Sequence, residues 1–209
     1  MHATHIIAIA GPSCAGKTEL AKYLSRCLSA PILPMDAYYL DLAFLPLAER
    51  CKFNFDIPDT VDHDLLLAHL AALAAGRSIQ RPVYDFTIHT RAPIFETVTP
   101  GRCVIVEGLF ALHWDDIRSL MGTKVFVDAP DEVCLARRKV RDVLERGRTL
   151  ESVLKQYDEV VRPMAELYVR PTRRFADLVV SGEIPLEQSS AAVIERVHSQ
   201  PSATGAAPA

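Results

Sequence analysis

Gly11-Pro12-Ser13-Cys14-Ala15-Gly16-Lys17-Thr18 follows directly on the apolar run His5-Ile6-Ile7-Ala8-Ile9-Ala10, and this junction decides the fold. The octapeptide fits GxxxxGK[ST]. The β-branched run before it reads as a short strand, and Leu20, Leu24, Cys27 and Leu28 after it recur at helical spacing. Glycines in the loop permit backbone angles that wrap successive N–H groups round a phosphate, and the helix starting at Lys17 adds its positive N-terminal end. Lys17 supplies a mobile charge for the outer phosphates, and the Thr18 hydroxyl suits Mg²⁺. All eight residues, Gly11, Pro12, Ser13, Cys14, Ala15, Gly16, Lys17 and Thr18, are therefore expected to bind a nucleoside triphosphate.

Four further short apolar runs obey the same logic. Pro31 to Met35 ends in Asp36, Cys103 to Val106 ends in Glu107-Gly108, Lys124 to Val127 ends in Asp128, and Leu178 to Val180 is the last. Apolar runs without alternation suit strands covered on both faces. The predicted fold is α/β, a P-loop NTPase-type five-stranded parallel sheet flanked by helices, with ligands at the carboxyl ends of the strands. Asp62 and Asp64 open a helix that Gly76 closes, Asp131 opens another running towards Gly147, and Thr149 caps a third, Leu150 to Val169, in which Pro163 predicts a kink or break. Residues 79–98, with two prolines among β-branched and aromatic residues, read as a small β-hairpin subdomain. One domain over 1–199 is expected, with an arginine-bearing lid at about 131–162 and a flexible tail at 200–209, sequence QPSATGAAPA.

Composition narrows the function. The 209 residues are 49% apolar and 23% charged, which excludes a disordered or collagenous chain, and the net charge of −3 provides no overall field for nucleic acid or an anionic bilayer. Any anion site must be local. The longest apolar stretch, Leu65 to Ala75, is too short for the ~30 Å hydrocarbon layer. Cys14, Cys27, Cys51, Cys103 and Cys134 are an odd number with no CxxC pair, so they read as reduced thiols of a cytoplasmic protein. The short apolar start, without a basic n-region, does not read as a signal peptide.

A phosphate loop alone does not define the reaction. A GTPase would need NKxD and DxxG; the sole asparagine, Asn54, precedes Phe55, and no aspartate has a glycine three residues on. Asp36 and Glu107, closing two strands, can instead divide the work of accepting a hydroxyl proton and holding Mg²⁺, with Thr18, Glu107 and Asp36 as the metal-directed oxygens; the alternative is that each merely caps the element after its strand. Arg137, Arg138 and Arg141 lie on neighbouring helical positions, with Arg146 and Arg148 beyond. Taken alone they form a solvated face with ion pairs such as Asp142 with Arg146. Above a phosphate loop they suit a lid that neutralises developing charge and excludes water.

Several stretches together resemble the uridine-cytidine kinase family of P-loop kinases: Gly11 to Thr18, Met35-Asp36-Ala37-Tyr38-Tyr39, Asn54-Phe55-Asp56-Ile57-Pro58-Asp59, Pro82-Val83-Tyr84-Asp85-Phe86 with His89 and Arg91, and Val106-Glu107-Gly108-Leu109-Phe110. The likeness continues through Arg137-Arg138, Arg141-Asp142, Glu145-Arg146-Gly147-Arg148, Gln156-Tyr157 and Pro171-Thr172-Arg173-Arg174. It implies transfer of the γ-phosphate of ATP or GTP, with Mg²⁺, to the 5'-hydroxyl of uridine and often cytidine, in pyrimidine salvage. The same resemblance implies Asp36 as base, with Lys17, Arg141 and Arg146 at the phosphates. Asp56 and Arg138 would hold the ribose, while Tyr84, Phe86, His89, Arg148 and Gln156 would surround the pyrimidine. A homotetramer is implied in the same way. Ile57 replaces the family's usual histidine, and Ser181-Gly182-Glu183-Ile184-Pro185 replaces its basic glycine turn near the donor base. The rival readings are a kinase of another hydroxyl, such as phosphoribulokinase, pantothenate kinase or nicotinamide riboside kinase, and a nucleotide-binding regulator without transfer activity.

Overall fold

The apolar junction strand becomes the centre of the sheet. The computed structural model describes residues 4–50 and 52–199. In chain order its strands are β1 His5–Ala10, β2 Ile32–Pro34, β3 Ile79–Asp85, β4 Thr90–Val98, β5 Cys103–Glu107, β6 Thr123–Asp128 and β7 Leu178–Ser181. The helices are α1 Lys17–Leu28, α2 Leu47–Arg50, α3 His63–Ala74, α4 Asp115–Ser119, α5 Asp131–Leu144, α6 Leu150–Gln156, α7 Arg162–Met164 and α8 Leu186–Ser199. Five strands pair in parallel in the order β2-β5-β1-β6-β7, and β3 pairs antiparallel with β4. All five predicted strands are present, and so is the hairpin.

Alternation along β1 sorts the core. Ile6, Ala8 and Ala10 face the side covered by Leu66, Leu70 and Leu73 of α3 and Ile117 of α4. Ile7 and Ile9 face the side covered by Leu20, Ala21 and Leu24 of α1 and Val193 and Val197 of α8. Each fully buried Ile or Leu contributes about 1.5–3 kcal/mol. Burial on both faces is why these strands read as unbroken apolar runs. Pro34 is tolerated because β2 lies at the sheet edge.

The order also places the ligand crevice. β5 lies on one side of β1 and β6 on the other, so the chain reverses its direction of winding at the carboxyl end of β1, where the loop emerges. Asp62 caps α3 by accepting from the Leu65 N–H at 3.2 Å, and Thr149 caps α6 by accepting from the Ser152 N–H at 3.2 Å, both as the sequence predicts.

The segment after α6 departs from expectation. Regular α geometry stops at Gln156, seven residues before Pro163, and the chain continues as helix through Pro163. Tyr157–Val161 and Ala165–Val169 are π-helical on either side of α7, and the Arg162 N–H reaches the Tyr157 carbonyl five residues back. The wider turns accommodate the N–H that proline lacks, so no break is needed. Among the described cysteines, Cys14, Cys27, Cys103 and Cys134 are free thiols; Cys51 and the tail at 200–209 lie outside the described residues. No helix among the described residues is long and apolar enough to cross a membrane.

Candidate active site

The loop between β1 and α1 is shaped by backbone constraints. Gly11 has φ +145°, and a Cβ there would come within 2.2 Å of the Val127 carbonyl oxygen, so only glycine lets the chain leave β1 alongside β6. A Cβ on Gly182, after β7, would lie 1.9 Å from the Ala15 carbonyl oxygen. The loop is thus wedged between two neighbouring strand ends. Lys17 folds back, only 8% exposed, and its Nζ donates to the Pro12 carbonyl at 2.9 Å. Burial lowers its pKa, and Glu107 and Asp36 act against that shift.

Those two acids stand at the ends of β5 and β2. Asp36 sits in a 3₁₀ turn, Met35–Tyr38, which begins where β2 stops. Burial raises its pKa; Lys17, a hydrogen bond from Tyr39, and Arg146 and Arg141 all oppose the rise. Burial likewise raises Glu107, again opposed chiefly by Lys17. The Thr18 hydroxyl donates to Glu107 Oε1 at 3.2 Å. A buried lysine and two half-buried carboxylates therefore form one electrostatically linked group beside the loop.

The Asp131–Leu144 helix, α5, splits its arginines between two tasks. Arg137 donates to the Ala15 carbonyl at 3.2 Å, the Cys14 carbonyl at 3.4 Å and the Gly182 carbonyl at 2.7 Å, tying the helix to the loop. Arg138, 6% exposed, reaches Ser13 Oγ at 3.0 Å and Gln156 Oε1 at 3.1 Å. Arg148 also donates to Gln156, and to Ser152 Oγ at 2.8 Å. Asp142 is fully buried among these arginines. The solvated-face reading of this helix is thereby corrected, because Asp142 and Arg138 lie inside.

Across the crevice the hairpin presents aromatic rings. Tyr84 lies in contact with Tyr39 and Phe86, at centroid separations of 5.4 and 5.2 Å. His89 stacks on Phe55 at 5.5 Å with 14° between planes. The Tyr84 hydroxyl is buried without a hydrogen-bond partner, and Phe86 is 48% exposed with the Arg146 guanidinium 5.8 Å above its ring. Asp56 is held with its pKa raised by burial and lowered by Arg138. A narrow cleft lined by Ser13, Asp56, Leu109, Val161, Ala165 and Val169 runs between the loop and the helical segment after α6.

The predicted site residues thus belong to the loop, the adjoining strand ends, the hairpin or the α5–α6 region, apart from Asp56, which stands in the segment before the Pro58–Thr60 turn. The structure adds Tyr39, Phe55, Arg137 and Gly182. Tyr39, Phe55 and Arg137 stand inside motifs the sequence already shows, so their neighbourhood was signalled; that Arg137 and Gly182 meet the loop backbone from far along the chain is reported by no motif. His113 packs against Phe110, Trp114 and Tyr168 and stays outside this group. Asp62-His63-Asp64 works as a helix start, with Asp62 also paired to Arg91 at 3.0 Å.

A phosphate loop at the winding reversal of a five-stranded parallel sheet, with an arginine helix beyond it, defines a P-loop kinase. The chain belongs to the phosphoribulokinase / uridine kinase family, whose model matches residues 6–185. Relatives named uridine kinase include that of Vibrio cholerae serotype O1, 43% identical over 182 residues and covering 84% of this chain and 85% of that one. The uridine kinase of Brevibacillus brevis is 46% identical over 178 residues, covering 84% and 83%. Among solved structures, D-glycerate 3-kinase from Cryptococcus neoformans matches with TM-score 0.63 at 16% identity, covering 88% of each chain. Phosphoribulokinase from Rhodobacter spheroides matches with TM-score 0.60 at 15% identity, covering 85% of this chain and 70% of that one. At these identities the solved structures speak for the fold alone.

Proposed function

We propose that this kinase transfers the γ-phosphate of ATP or GTP to the 5'-hydroxyl of uridine and cytidine. The observation that carries the proposal is the Lys17–Asp36–Glu107 group at the loop joined through Tyr39, which hydrogen-bonds Asp36, to the rings of Phe55, Tyr84 and His89. A triphosphate in the loop and a planar base on the rings would bring a primary alcohol between them. The names of the relatives support the same acceptor.

In this reading Asp36 accepts the 5'-hydroxyl proton as the new O–P bond forms and the bond to the β-phosphate oxygen breaks, releasing the nucleoside diphosphate. Lys17, Arg141 and Arg146 hold charge on the phosphates; Asp56 and Arg138 hold the ribose hydroxyls. Tyr84, Phe86, His89, Arg148 and Gln156 enclose the pyrimidine, and the unpartnered Tyr84 hydroxyl is available to it. Among the described residues no cluster of three or more His, Cys, Asp or Glu forms a metal cage. Thr18, Glu107 and Asp36 are few, hard oxygen donors, which fits Mg²⁺, an ion that takes its remaining ligands from phosphate and water. Bound there, it would neutralise phosphate charge. The proposal extends to a single domain over 1–199 with a lid at about 131–162, to a cytoplasmic site of action, and to a homotetramer.

The test is a panel of uridine, cytidine, deoxyuridine, ribulose 5-phosphate, pantothenate and nicotinamide riboside with ATP and with GTP, monitoring diphosphate release. Uridine and cytidine should be turned over fastest; a faster acceptor of any other kind, nicotinamide riboside included, would sink the proposal. Asp56→Ala should raise KM for uridine about ten- to a hundredfold, the weight of hydrogen bonds to a charged group, with the donor KM little changed. An unaltered uridine KM would remove the ribose contact.

A further inference from the structure

Four guanidinium groups share one carboxylate in the lid. Asp142 is 0% exposed. Its Oδ1 lies 2.8 Å from Arg141 Nε and 3.7 Å from Arg146 Nη1; its Oδ2 lies 3.3 Å from Arg138 Nε and 3.7 Å from Arg148 Nη1. The Asp142 backbone carbonyl also accepts from the Arg148 N–H at 3.0 Å, closing the turn after α5. The outer ends of the same arginines point elsewhere: Arg138 to Ser13, Arg148 to Gln156, and Arg146 over the Phe86 ring. Arg141 and Arg146 both act electrostatically on Asp36.

From this arrangement we infer that Asp142 is the positioning residue of the lid, gathering Arg138, Arg141, Arg146 and Arg148 at fixed separations before any phosphate arrives. Four cations brought together without a counter-ion would repel one another and spread. One carboxylate cannot neutralise all four, so the cluster keeps surplus positive charge for the transferred group while remaining assembled. Arg138 Nε and Asp142 Oδ2 make no aligned hydrogen bond despite their 3.3 Å separation. Charge rather than direction holds that pair, which lets the guanidinium re-aim without leaving its partner. Asp142 touches no reacting atom in this scheme; it acts through Arg141 and Arg146. The inference rests on the phosphotransfer reading above.

The test compares Asp142→Asn with the wild-type protein. Turnover is read as ADP release with the best acceptor and with water alone, and affinity for tripolyphosphate is read by calorimetry. Losing the carboxylate removes a repulsion towards phosphate while letting the arginines scatter. Turnover should therefore fall tenfold or more, with tripolyphosphate bound as tightly as before or more tightly. In an Arg141→Ala/Arg146→Ala background the same change should cost little further turnover, because the residues it acts through are gone. Unchanged turnover would overturn the inference, as would fully additive losses or weakened tripolyphosphate binding together with a lower Tm. Asp142→Glu, which keeps the charge but moves it by one methylene, should also slow turnover at full affinity, and it carries the test if the Asn variant does not fold. If neither folds, Asp142 is a structural counter-ion and the positioning role is refuted. A wild-type protein that bound tripolyphosphate and released ADP to water, but phosphorylated no nucleoside, would sink the proposed acceptor without touching this inference.

Discussion

Asp36→Asn should lower kcat with uridine by about a hundred- to ten-thousand-fold, the usual contribution of a positioned general base, while ATP binding should stay largely intact. The amide fills the same space but cannot take the hydroxyl proton. Wild-type activity should rise with pH along an acid limb lying above the ordinary carboxylate range, since burial raises Asp36. That limb should be missing from the residual activity of the variant. The same shift has a stability consequence of defined sign. The folded protein holds the Asp36 proton more tightly than the unfolded chain does, so ionising the group costs stability as pH rises from the unfolded pKa through the folded one. Asparagine removes that cost. The Tm of Asp36→Asn at neutral pH should hold or rise while catalysis collapses, a separation that circular dichroism and a coupled assay would expose together. Turnover unchanged by the substitution would end the role of Asp36 as base.

Lys17→Ala should lower kcat by about a hundred- to a thousandfold, as expected for losing one preorganised donor to a developing charge. Its second effect is more diagnostic. Lys17 is the main group opposing the burial-driven rise of both Asp36 and Glu107. Without it both carboxyls should hold their protons to higher pH, and the acid limb of the residual activity should move upward. A pH profile with the limb in its wild-type place would show that Lys17 and Asp36 are not electrostatically joined. Lys17→Arg, which keeps the charge on a bulkier head, should leave the limb nearer its original position than Lys17→Ala does.

How much of the molecule was legible in the chain depends on the range of each interaction. The strand, loop and helix around Gly11–Thr18 are local, and so are the caps Asp62 and Thr149; their residues state their own geometry. The hairpin was legible because prolines and β-branched residues exclude a helix over 79–98. The helical phase of α5 put Arg137 and Arg138 side by side, yet Arg137 turns to the loop carbonyls and Arg138 to Ser13, Gln156 and Asp142. That division depends on where β7 delivers Gly182 and where α6 delivers Gln156, which no spacing within α5 contains. Pro163 misled for a related reason: proline predicts a missing hydrogen bond, and the chain met that loss by widening its turns. The buried state of Asp142 was hidden because a charged residue among charges reads as surface until packing encloses it.

The three carbonyls gripped by Arg137 couple α5 to the loop after β1 and to the turn after β7. The first turns of α5 cannot swing without tugging on Cys14, Ala15 and Gly182. A fulcrum for any closing stroke therefore falls farther out, and Gly147, with φ +64° and empty space where a side chain would sit, occupies such a spot. Were the arginine arm to close as the proposed function requires, the part beyond Gly147 would travel while the loop held by Arg137 stayed still.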